Sequence, residues 1–192
     1  MFKSFVELSE HIHELRAART GRSPGFAMRY GEVWQSALDC PKNGISEIFL
    51  YEDIEIPKPF SGMFVRLVTD NTNHGLVFVD RNLDEHWREF AIVKELMHCW
   101  SPGHTFVGTP AAVKDLVAAH VAAATPYPAS LASDNKAILA AAEVILPSYS
   151  AERYLGLGKD FAQIAFECGL DETLVSFICR HDMLQARKNG HL

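Results

Sequence analysis

The sequence has no long apolar run, no basic cluster beyond a pair, no C-x-x-C pair and no low-complexity linker. Each absence excludes a class. The most apolar stretches, 115–125 and 136–147, are too short to cross a bilayer and are interrupted by a polar residue or proline, so they read as core helices. With 24 acidic against 18 basic residues and a formal charge of −6, the electrostatic footprint of a nucleic-acid binder is missing. Cys40, Cys99, Cys168 and Cys179 are widely and irregularly spaced, which suits neither a disulfide framework nor a cysteine-built zinc site; reduced thiols in a cytoplasmic protein are expected. The first residues carry scattered charges and no apolar stretch of the kind a secretory signal needs.

What is present is an ordinary globular composition. Of 192 residues, 48% are apolar and 22% charged, enough for one core that buries about 70% of the unfolded surface. A single domain over 1–192 is expected, with an N-terminal helical region at 1–44, a core at 45–150 and a C-terminal helical cluster at 151–192.

Phe2, Phe5, Leu8, Ile12 and Leu15 recur at three- and four-residue steps and predict an opening amphipathic helix that ends before the breaker cluster 20–25. A weaker helical pattern covers 28–38. The period then changes to that of strands at 45–56, 62–69 and 75–80, separated by Pro and Asn-rich turn signals. The short connections between them predict a small, mostly antiparallel, three-stranded sheet. Helical patterns resume at 84–100, 111–124, 133–146, 161–168 and 171–185, and the fold class is α+β.

The chemistry is concentrated at 75–100, where a short strand and a polar turn lead into a helix carrying Lys94-Glu95-Leu96-Met97-His98. This segment resembles the ImmA/IrrE family of zinc metallopeptidases, whose helix bears H-E-x-x-H in the same register. Lys94 stands in place of the first histidine. Ala140-Ala141-Ala142-Glu143-Val144-Ile145-Leu146-Pro147 is similar to the family's later helix, which ends in F-A-A-E-L-L-M-P, and 161–180 resembles the small helical unit that closes such domains. The resemblance implies a zincin-like fold with a metallopeptidase-like core at 45–150.

In H-E-x-x-H, histidines four residues apart direct both imidazoles from one helix face to one zinc ion, and the glutamate activates the metal-bound water. A carboxylate from a later helix completes the set, and aligning 140–147 places Asp134 there, although an aspartate at a helix start equally suits an N-cap. Glu143, nine residues on, falls on the opposite side of that helix. A lysine ammonium has no lone pair, and a unit charge about 4 Å away at an effective dielectric near 20 repels another by about 4 kcal/mol, more for a divalent ion. Lys94 is therefore expected to fill the vacated space and pair with Glu95 or the later carboxylate, without a cofactor.

Two functional readings follow from the resemblance. The first is a catalytically degenerate relative that binds another protein, such as a helix-turn-helix repressor, in bacterial or phage gene regulation. The second is an active zinc endopeptidase with an altered ligand set of His98, His104 and Asp134, with Glu95 as general base. Neither involves nucleic acid or a membrane directly. In the degenerate reading Glu95 is a buried carboxylate served by Lys94 or Arg88. Cys99 is expected to be a buried structural thiol, His120 a satisfied core histidine, and His11 and His13 solvated.

Overall fold

A computed structural model describes residues 2–21, 27–58, 60–69, 72–100 and 129–190. The expected helix at 111–124, with His104 and His120, lies outside the described residues. Helix α1 (Phe5–Thr20) starts where Ser4 caps the backbone N–H of Glu7, and ends at Gly21, whose left-handed φ of 70° lets its N–H reach the Ala17 carbonyl. Its Phe5, Leu8 and Ile12 are buried. Helix α2 (Tyr30–Asp39) follows and buries Val33 and Ala37.

Strands β1 (Glu47–Ile54), β2 (Gly62–Thr69) and β3 (Thr72–Asp80) make a sheet in the order β1-β3-β2. The expectation of a mostly antiparallel sheet needs correction: β2 and β3 form an antiparallel hairpin, but β1 pairs with β3 in parallel. Short connections forbid parallel pairing between consecutive strands only. Here β2 reverses the chain and β3 reverses it again, so β3 runs with β1 and takes the central place.

Helix α3 (Glu85–Met97) is buried along its whole second half, from Phe90 to Met97. It packs on β2 and β3, on α2, and on helix α4 (Ala129–Ile145), whose alanines 137, 140, 141 and 142 permit close approach. A one-turn 3₁₀ segment at His98–Trp100 continues α3.

The remaining helices are α5 (Ser148–Gly156), α6 (Phe161–Cys168), α7 (Glu172–Ile178) and α8 (His181–Asn189). The pattern at 171–185 suggested one helix, but the chain breaks at Cys179 and Arg180. Arg187 spans the break. Its guanidinium is wholly buried and donates to the carbonyls of Ala142 and Leu146 at 2.7 and 2.8 Å and to that of Ile178 at 3.1 Å, so one cation serves the ends of α4 and α7. Glu143 Oε2 lies 3.4 Å from the same guanidinium, and this carboxylate accepts the backbone N–H and hydroxyl of Ser148 at the start of α5. Glu143 thus joins α4, α5 and α8, which gives the A-A-E-x-x-L-P stretch an architectural reason.

His13 also departs from expectation. It is buried between α1 and α4, where Nε2–H donates to the Val144 carbonyl at 3.0 Å and Nδ1 accepts from Arg16 at 3.3 Å. Burial, helped by the Arg16 guanidinium, pushes its pKa down to about 4. The unfolded chain then binds a proton more readily, and stability falls as pH drops from the ordinary histidine value of 6.5 towards 4. Urea unfolding at pH 7 and 4 will show His13 contributing about 3 kcal/mol of that loss. The His13→Gln variant will show a correspondingly smaller difference between the two conditions.

Candidate functional site

Positions 94 and 98 are one helical turn apart, so Lys94 and His98 project from the same side of α3, with Glu95 beside them. Asp134 reaches this side from α4. Because α4 begins at Ala129, Asp134 sits in its second turn, which overturns the N-cap reading.

The structure brings Lys94, Glu95, His98 and Asp134 together. Lys94 Nζ donates to Glu95 Oε1 at 2.7 Å and also contacts Asp134 Oδ1. His98 Nε2 lies 3.8 Å from Glu95 Oε2 and 3.9 Å from Asp134 Oδ1. Lys94 and Glu95 are buried, at 7% and 1% exposure, whereas the Asp134 side chain is 32% exposed and marks the solvent side of the cluster. Arg88 does not serve Glu95; it donates to the carbonyls of Arg81 and Leu83.

Burial alone would lower the pKa of Lys94. The Glu95 and Asp134 carboxylates outweigh it and hold the ammonium up at about 12. Burial would likewise raise Asp134, but the neighbouring His98 imidazole and Lys94 ammonium hold it down at about 2. Both shifts favour the charged forms, so the ion cluster is intact across the neutral range.

Two features of the sheet shape this site. Phe64 places its ring over His98, with centroids 6.2 Å apart. Gly62, at the start of β2, was not singled out by sequence reasoning, yet a Cβ there would come within 2.7 Å of Glu95 Oε1 and 3.1 Å of the Phe78 carbonyl. Only glycine lets the strand pass this close to the carboxylate; its place at the edge of a strand pattern was the available signal.

As placed, Lys94, Glu95, His98 and Asp134 do not fit a zinc ion; His104, the other ligand of the altered set, lies outside the described residues. Ligand atoms must stand about 2.0–2.2 Å from the metal with lone pairs directed at it. Here an ammonium touches both carboxylates from the position a histidine would hold, leaving no room at their shared face. Among the described residues no group of three or more His, Cys, Asp or Glu is arranged to hold a metal. Cys99 is buried, and desolvation pushes its thiol up to about 12, an environment that suits a structural thiol. No helix of the described residues is long and apolar enough to cross a membrane.

No family model, curated protein or solved structure matches this chain.

The ion cluster has a measurable consequence for stability. Lys94→Met leaves Glu95 buried without its cation and will cost about 3–5 kcal/mol, read from the urea midpoint. Adding Glu95→Gln removes the stranded charge and will restore most of that loss.

Proposed function

We propose that this chain is a catalytically degenerate member of the ImmA/IrrE type, in which the zinc position has been taken by a lysine and the scaffold acts by binding another protein. The observation that carries this reading is the Lys94 ammonium seated between Glu95 and Asp134 on the helix that otherwise matches H-E-x-x-H. Glu95, the general base of a working peptidase, is here a counter-ion. With its carboxylate held by an ammonium and closed over by Gly62, it is not placed to activate water.

Binding is supported by β2. Among the described residues it lies at the edge of the sheet and starts beside the cluster, so its outer backbone groups suit an extended peptide added as a further strand. The resemblance gives the setting: bacterial or phage gene regulation, with a helix-turn-helix repressor as partner. That setting rests on family analogy.

Metal analysis and proteolysis test the reading together. Protein purified without chelator or added metal will contain no stoichiometric zinc, and will not cleave casein when zinc is supplied. The Lys94→His variant will take up zinc. Stoichiometric zinc in the unaltered protein, or zinc-dependent cleavage that disappears in Glu95→Gln, would overturn the proposal, as would failure of a folded Lys94→His variant to bind the metal.

A further inference from the structure

Asn43 and Asn189 are each followed by a glycine. That pairing carries a chemistry of its own. The backbone nitrogen after an asparagine can attack the carbon of the side-chain amide, and glycine, with no Cβ in the way, hinders this attack least. Whether the ring closes then depends on the fold, which either holds the two groups apart or leaves them free to turn towards each other.

Asn43 is held. It ends a one-turn 3₁₀ segment at Pro41–Asn43, is 6% exposed, and donates from Nδ2 to the Ala37 carbonyl at 3.1 Å. The Gly44 N–H, which would supply the attacking nitrogen, donates to the Pro41 carbonyl at 3.2 Å. Asn189 is placed differently. It is exposed, it is the last residue of α8, and its side chain meets Gln185 Oε1 only at 3.4 Å, longer than a usual hydrogen bond. Gly190 has left the helix, with an extended φ of −78° and ψ of 145°. Helix ends open at little free-energy cost, so Asn189 has the backbone freedom that ring closure needs. The same glycine is where a change would be felt. A Cβ on Gly190 would overlap the ring of Phe5 in α1, which is 1% exposed, and would come within 2.5 Å of the Ala186 carbonyl oxygen.

We propose that Asn189 is a site of spontaneous modification to isoaspartate, that the fold protects Asn43 from the same reaction, and that the product loosens α8 from α1. The Gly190 amide nitrogen bonds to Asn189 Cγ, the Cγ–Nδ2 bond breaks, and Nδ2 leaves as ammonia, taking up the proton that the Gly190 amide gives up. Water then opens the cyclic imide, and nothing is oxidised or reduced. Opening at Cγ gives aspartate; opening at the backbone carbonyl carbon gives isoaspartate, whose main chain runs through the former side chain and is one carbon longer. Gly190 has no spare space against Phe5, so the longer chain displaces it. Both products also set a carboxylate at the end of α8, where the helix dipole disfavours it. The inference goes beyond the function proposed above and does not depend on whether zinc binds.

Peptide mapping by mass spectrometry of the full chain, held for days at mildly alkaline pH, tests it, with the same chain unfolded in urea as the reference for unrestrained chemistry. In urea both asparagines will convert. In the folded protein Asn189 will convert at least about tenfold faster than Asn43, which must wait for its turn to open. Asn189→Gln, whose longer side chain would have to close a larger ring, will stay intact at this position. The isoaspartate fraction, separated by ion exchange, will unfold at a lower urea midpoint than fresh protein. Asn189→Asp, which has the charge without the added carbon, will lower the midpoint by less. The proposal is overturned if the folded protein keeps Asn189 intact while the urea sample loses it, if Asn43 and Asn189 convert at equal rates in the folded chain, or if the isoaspartate fraction unfolds at the midpoint of fresh protein or of Asn189→Asp.

Discussion

A lysine ammonium held between two carboxylates, beneath a strand that reaches it only through a glycine, fixes how the central helix meets the rest of the molecule. Taking these three charges from water is costly, and the cost is met only while all three remain together. Lys94 and Glu95 come from α3 and Asp134 from α4, so the cluster ties the two helices at a defined rotation. Gly62 brings the start of β2 onto the same carboxylate, which links the sheet to the cluster. Where an H-E-x-x-H protein would use a metal to organise these elements, this chain has the means to do so with internal ion pairing.

A second buried cation organises the opposite end of α4. Arg187 meets the last carbonyls of α4 and the end of α7, and Glu143 joins it to the first turn of α5. The two clusters have different openings to solvent. Around Arg187 both charged side chains are essentially inaccessible, whereas the Lys94 cluster is reached from outside through Asp134. The first suits a structural role alone; the second leaves a charged opening next to β2, an edge strand of the described sheet.

Much of this was legible in the sequence because periodicity reports burial. The strand at 62–69 and the helix at 161–168 have the bounds their patterns gave, and the α+β class followed from the change of period after residue 44. The pairing of Lys94 with a carboxylate could be anticipated from charge alone, since an ammonium on a buried helix face must find an anion. What was not legible depended on contacts distant in sequence. His13 looked solvated because it stands two residues from His11, faces another side of the helix and forms no pair with it, but the partner that makes its burial tolerable, the Val144 carbonyl, is 131 residues away. The parallel β1–β3 ladder was missed because pairing was inferred between consecutive strands. The break between α7 and α8 leaves no proline or glycine as a marker, and the group that satisfies the Ile178 carbonyl there is Arg187 from the following helix. Glu143 and Asp134 exchanged apparent roles for the same reason: Glu143, read only as facing away from the site, anchors three helices, and Asp134, open to reading as a cap, lies inside a helix against Lys94.

The central claim is that the side chain at position 94 is a permanently charged member of this cluster. Heteronuclear NMR of the Lys94 ammonium nitrogen across an alkaline titration measures it directly. The account predicts a slowly exchanging ammonium signal that persists beyond the ordinary lysine value of 10.5 and titrates only near pH 12, with the stability it contributes lost over the same interval. Titration at or below 10.5, with rapid exchange at neutral pH, would show a solvated lysine and contradict the account.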